Sequence, residues 1–315
     1  DEYPGGRIMA TISSTVNGVF FPNPVLTAAG PNVGSPARLR DAVLGGAGGI
    51  VTKTVSVMPA KDPRPTIRKS SCGGLLNCET WSELPVESYL ESYREIKRAG
   101  VPLVTSIGYT PDDVRNLGKL LEREVKPDIF EFSTHYTGKS IEPLVSVAKA
   151  LRETVSVPIW MKISPATPDI EELAVRASEF VDGFVAINSL GPALDFDIES
   201  AKPALGSSYG QGWLSGPPIL PVALRIVYQI ASVQTRPVIG VGGISCGEDA
   251  LKFIMAGASL VQICSAAVRH GSEIYGRVAA EMGEWLDSRG IDSIEDVRGR
   301  YISAVRGRDG NIIDG

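Results

Sequence analysis

Short, continuously apolar runs alternate with longer amphipathic stretches along most of the chain. The runs at 25–28, 49–54, 103–106, 129–132, 159–163, 183–187, 238–241 and 260–264 read as strands. They are apolar throughout rather than in alternation, as strands covered on both faces are. Between and after them, 36–45, 86–99, 111–124, 141–152, 170–180, 221–231, 248–256 and 271–287 carry helical spacing. Thr110 before Pro111 and Gly247 before Glu248 read as helix caps. Strand–helix alternation sustained in this way predicts an α/β fold, a closed parallel (β/α)8 TIM barrel, with a doubly wound open sheet as the alternative. Two connections break the rhythm by their length, 55–85 and 188–218. Both follow strands, so in a barrel both belong to the active face as lids or binding loops.

The bulk properties narrow the partners. The chain has 315 residues, 43% hydrophobic and 21% charged, with a formal charge of -5. That length allows about two domains, but one barrel accounts for it. We read 9–315 as a single domain and residues 1–8, ahead of the Met9-Ala10 pair, as a tag or extension. Mild acidity points away from nucleic acid, and Lys61, Arg64, Arg68 and Lys69 read as a solvated loop. No apolar run reaches the length of a membrane span. Cys72, Cys78, Cys246 and Cys264 include no CxxC pair, which points to reduced thiols in a cytoplasmic protein and not to zinc or disulfides.

The chemistry gathers at the carboxyl ends of the predicted strands, where barrel enzymes keep their working groups. The first ends in Ala28-Ala29-Gly30, small enough for a flat ring to lie on the backbone. The second ends in Thr52-Lys53-Thr54 and the fifth contains Lys162. A lysine on an apolar buried strand needs an anion, either a ligand or a carboxylate partner. Gly242-Gly243 and Ser265-Ala266 follow the last two strands, where barrels bind phosphate, and Gly216 precedes them in the long loop. A phosphate-bearing ligand follows from that combination.

In order along the chain, the motifs Asn23-Pro24-Val25-Leu26, Val51-Thr52-Lys53-Thr54, Gly74-Leu75-Leu76-Asn77, Ile187-Asn188-Ser189-Leu190, Leu214-Ser215-Gly216-Pro217 and Val241-Gly242-Gly243-Ile244 resemble the dihydroorotate dehydrogenases, in particular the soluble class 1 enzymes. The resemblance runs from about Asn17 to Gly271. It implies FMN, with Ala28, Ala29, Gly30 and Thr54 along the flavin and Lys53 and Lys162 near its N1/O2 side. It also implies Asn188 between flavin and substrate, and Gly216, Gly242, Gly243, Ser265 and Ala266 at the phosphate. A homodimer is implied as well.

The substrate side departs from the family. Its Asn-x-Ser-Cys-Pro-Asn motif, with cysteine as catalytic base, is replaced here by Ser133-Thr134-His135-Tyr136-Thr137-Gly138. Of the asparagines that grip orotate, Asn77 and Asn188 remain. The lid reads Cys78-Glu79-Thr80-Trp81-Ser82-Glu83. Asn77, Glu79, Trp81, Glu83, Ser133, Asn188 and Ser189 are the expected substrate residues, with Tyr136, His135 and Lys53 expected to be catalytic. A phenol, with a reference pKa of about 10, suits proton donation. The motif therefore predicts an FMN oxidoreductase acting on a C=C or C–C bond of a small non-orotate substrate. The alternatives are a dihydroorotate dehydrogenase with an atypical base and a flavin-carrying subunit working with a redox partner protein.

Overall fold

The computed structural model describes residues 9–133 and 138–306. The apolar runs form eight parallel strands: β1 Val25–Thr27, β2 Ile50–Val51, β3 Leu103–Ile107, β4 Ile129–Ser133, β5 Ile159–Ile163, β6 Gly183–Ala186, β7 Val238–Val241 and β8 Ala258–Ile263. Their order is β1-β8-β7-β6-β5-β4-β3-β2. The remaining seam closes through a parallel bridge between Leu26 and Gly49, where Gly48 N–H donates to the Val25 carbonyl at 2.8 Å. This seam decides for a barrel over an open sheet.

Seven helices follow the first seven strands: α1 Pro36–Leu44, α2 Leu90–Arg98, α3 Pro111–Glu124, α4 Glu142–Arg152, α5 Ile170–Ala177, α6 Leu220–Val233 and α7 Gly247–Met255. The stretch after β8 is divided into α8 Ser265–His270 and α9 Ile274–Asp287, with α10 Arg300–Arg306 beyond. Thr110 caps α3 as expected, in a reciprocal box with Asp113. Gly247 does not cap α7: it is the first helical residue, and Cys246 precedes it without a side-chain cap. No helix among the described residues is long and apolar enough to cross a membrane.

Alternation along the staves sorts the core into two clusters. One faces the helices. The other fills the barrel axis with Leu26, Val51, Val104, Ile129, Trp160, Val185, Ile239 and Leu260. The amino-terminal hairpin, Ser14–Val16 against Val19–Phe21, closes the floor of this axis. Phe21 is fully buried and stacks on Trp160, with ring centroids 6.3 Å apart. The Trp160 indole N–H donates to Asn17 Oδ1 at 2.8 Å.

At the opposite end the two long connections pair with each other. They form a four-stranded antiparallel sheet in the order Leu190–Leu194, Gln211–Ser215, Leu75–Asn77, Ile67–Lys69. Trp213 faces Asn77 and Ser215 faces Leu75 in register. The expected active-face loops are thus a single ordered lid.

Phe21→Ala empties a fully buried aromatic site at the barrel floor. Loss of about 3–5 kcal/mol is expected, read as a lower urea midpoint in unfolding followed by far-UV circular dichroism.

Candidate active site

The lid sheet and the carboxyl ends of the staves enclose one cavity, lined by residues from β1, β2, β4, β5, β7 and β8 and their following turns. At one end, the backbone itself makes the wall. Gly216, Gly242 and Gly243 adopt φ of +94°, +139° and +82°, values that L side chains rarely take. A Cβ on Gly243 would lie 2.8 Å from the Gly216 carbonyl oxygen, and one on Gly242 2.7 Å from the Ala223 methyl. Only glycine leaves these N–H groups open to an approaching anion. Ser265 lines the same end, whereas Ala266 is buried behind it and does not reach the cavity.

The cavity is also lined by Ala28, Ala29, Gly30, Thr54, Ile187 and Cys264. Thr54 Oγ1 is fixed against Ser106 Oγ at 2.9 Å. The two lysines both open onto this space and both have carboxylate partners. Lys53 Nζ meets Glu79 Oε2 at 2.8 Å, with both side chains mostly shielded from solvent. Lys162 Nζ lies 3.5 Å from Glu131 Oε1 in the barrel interior. Of the two readings from the sequence, the carboxylate partner is present for both lysines, and both also remain on the cavity wall.

On the substrate side, Asn188 Nδ2 donates to Ser133 Oγ at 3.1 Å, and Asn188 Oδ1 accepts from Ser189 N–H at 2.9 Å. Asn77 Nδ2 donates to the Trp213 carbonyl at 3.2 Å, which ties it to the lid sheet. These four residues and Glu79 all line the cavity. Glu83 does not: it pairs with Arg64 on the surface at 2.5 Å, because the lid turns outward after Thr80. Trp81 also faces away, its indole N–H donating to the Met58 carbonyl and its ring packed on Tyr109. His135 and Tyr136 lie outside the described residues. Sequence reasoning missed Gln262 and Cys264, which line the cavity, and Glu131 behind Lys162.

Burial pushes the Cys264 thiol up despite the opposing pull of Lys162 and Lys53, and desolvation raises Cys78 in the same direction. Cys72 is exposed and lowered by the Ser70 hydroxyl. Neither of these two raised thiols is an activated nucleophile.

The glycine wall, two cations and the small residues Ala28, Ala29 and Gly30 fit a planar ligand carrying a phosphate, as FMN does. Gly243→Ala should weaken FMN binding at least about tenfold, roughly 1.4 kcal/mol, measured by quenching of flavin fluorescence on titration. With iodoacetamide at neutral pH, Cys72 should be labelled first and Cys264 last, as followed by peptide mass mapping. The raised thiol holds less thiolate there and the lowered one more.

Comparison with known proteins shows the family. The family model described as Dihydroorotate dehydrogenase matches residues 11–286. A protein of Pyrococcus furiosus is 35% identical over 294 residues, covering 90% of this chain and 96% of its own. One of Methanosarcina mazei is 34% identical over 321 residues, covering 95% and 98%. One of Thermoplasma acidophilum is 31% identical over 301 residues, covering 92% and 99%. Each of the three is named Dihydroorotate dehydrogenase B (NAD(+)), catalytic subunit. With its closed barrel and ligand cavity at the carboxyl-end face, this chain belongs to the dihydroorotate dehydrogenase family, FMN-dependent oxidoreductases that act on CH–CH bonds.

Proposed function

We propose that this chain is an FMN-bearing catalytic subunit that oxidises dihydroorotate to orotate and passes the electrons to a partner subunit. The near end-to-end match, at 34–35% identity, with proteins named as catalytic subunits carries this reading. It reverses the preference that the altered motif at 133–138 suggested, and it makes the atypical base the point of interest.

When bound, FMN supplies a two-electron acceptor. The chain supplies everything else. Gly216, Gly242, Gly243 and Ser265 would hold the phosphate through N–H and hydroxyl donors. Ala28, Ala29 and Gly30 would let the ring lie close to β1. Lys53 and Lys162 would offset negative charge on the ring. Asn77, Asn188, Ser133 and Ser189 offer polar groups for the edges of a cyclic amide, held in place by the bonds described above. Tyr136, in the connection from β4 to α4, is our candidate for the proton at the carbon opposite the hydride, with His135 beside it to orient or polarise. The lid sheet excludes water, which strengthens each of these interactions. Leu194, Phe196 and Ile198, exposed at 58%, 55% and 85% along the outer edge of the lid, support a homodimer as part of the same assembly.

One observation favours a second reading. The Glu79 carboxylate occupies the cavity beside Lys53, where it would repel the orotate carboxylate. A neutral cyclic amide or enone avoids that conflict.

Anaerobic mixing of the FMN-loaded chain with dihydroorotate should bleach the visible flavin absorbance. Failure to bleach, with bleaching by photoreduction intact, would turn the assignment to the second reading. Tyr136→Phe should slow this half-reaction by about 10²–10⁴-fold while FMN affinity holds. An unchanged rate would remove Tyr136 as the proton-transfer group.

A further inference from the structure

Directly above the apolar fill of the barrel axis, three polar side chains interact with one another. Glu131, Lys162 and Gln262 stand two residues beyond Ile129, Trp160 and Leu260 on their strands, so the pleat aims them at the same axis, one step nearer the mouth. Their exposures are 0%, 4% and 1%. Lys162 and Gln262 line the cavity, and Glu131 stands behind them.

The geometry within this trio is asymmetric. Gln262 Nε2 donates to Glu131 Oε2 at 2.8 Å. The other carboxylate oxygen stays 3.5 Å from Lys162 Nζ and has no hydrogen bond among the described residues. The Gln262 amide oxygen also lacks a partner there. A buried ion pair gains most by closing to a hydrogen bond, because unmet charge in the interior is costly. Here the amide of Gln262 holds the carboxylate off the ammonium. Lys162 is therefore only partly neutralised, and its remaining donors are available to a ligand in the cavity.

We propose that Glu131, tethered by Gln262, is a positioning residue that sets how strongly Lys162 favours reduced flavin. The proposal rests on FMN as the cofactor. Two-electron reduction with uptake of one proton leaves the ring with a single negative charge. Every nearby fixed charge is felt strongly by that anion in a water-poor site. Lys162 stabilises it, and Glu131 opposes it and screens Lys162. The pair acts as a graded charge, and the tether fixes the grade.

The test uses the FMN-loaded full chain and two readouts. These are sulfite, whose adduct places the same negative charge on the ring, and the flavin midpoint potential measured against a reference dye. Glu131→Gln should tighten sulfite binding at least tenfold, and a tenfold change in the two-electron equilibrium corresponds to a rise of about 30 mV. Gln262→Met frees the carboxylate to close on Lys162 and should weaken sulfite binding severalfold, the opposite sign. A purely structural role for Glu131 would lower FMN affinity or thermal stability and leave both readouts in place, and that result in the loaded variant overturns the proposal. If Glu131→Gln does not fold or load, Gln262→Met decides alone, and an unchanged sulfite affinity there is equally fatal. A wild-type chain that takes up no FMN removes the cofactor assignment itself, an outcome distinct from a loaded variant that does not respond.

Discussion

In a closed parallel barrel every second side chain of a stave must point at a shared axis, and that axis has room for only a few layers. The arrangement of this molecule depends on how those layers are filled. The lower ones are apolar, from Phe21 and Trp160 up to Val185 and Ile239. The next carries Glu131, Lys162 and Gln262. A charged layer at that depth is partly offset from within, by the Gln262–Glu131 hydrogen bond and the nearby Lys162 ammonium, and it leaves one Glu131 oxygen and the Gln262 amide oxygen without a partner among the described residues. The floor hairpin matters for the same reason: by sealing the lower axis with Phe21, it keeps water from reaching the polar layer from below.

The lid is subject to a different constraint. Its strands are three to five residues long, too short to stand alone. They persist because the two long connections pair across the mouth, Trp213 with Asn77 and Leu214 with Leu76. That pairing delivers Asn77 and Glu79 from one connection and Ser215 and Gly216 from the other into the same cavity. Lid order and site assembly are therefore one event, which ties substrate-facing and phosphate-facing residues to a common element.

Much of this was legible in the sequence, for definite reasons. Buried staves announce themselves as short apolar runs, and a lysine in such a run, as in Trp160-Met161-Lys162-Ile163, marks a polar demand. Glu131 in Ile129-Phe130-Glu131-Phe132 and Gln262 in Leu260-Val261-Gln262-Ile263 carry the same signal, but neither is a cation that an anionic ligand demands, so the sequence does not tie them to the site. The floor hairpin was also available: Asn17-Gly18, both with positive φ, is a strong turn signal between short apolar runs. The lid sheet was not, since its partners lie far apart in sequence and its strands are too short for periodicity. That is why Glu79 and Glu83 looked equivalent. Only the sheet shows that the chain turns after Thr80, sending Glu83 to Arg64 at the surface and leaving Glu79 on Lys53.

The two lysines then differ in a way their sequence contexts do not express. Lys162 has a counter-charge on the adjacent stave, tethered by Gln262 from a stave across the barrel. Lys53 has one on the lid, at hydrogen-bond distance. A stave cannot move without opening the barrel, whereas a lid turn can move with ligand entry. The fixed pair therefore supplies a constant electrostatic background to the flavin. The Lys53–Glu79 pair supplies a term that depends on what occupies the cavity. An incoming anion competes with Glu79 for Lys53 and must displace it. A neutral ligand leaves the pair closed. On the proposed function, the Lys53–Glu79 hydrogen bond is where an anionic and a neutral substrate would be told apart.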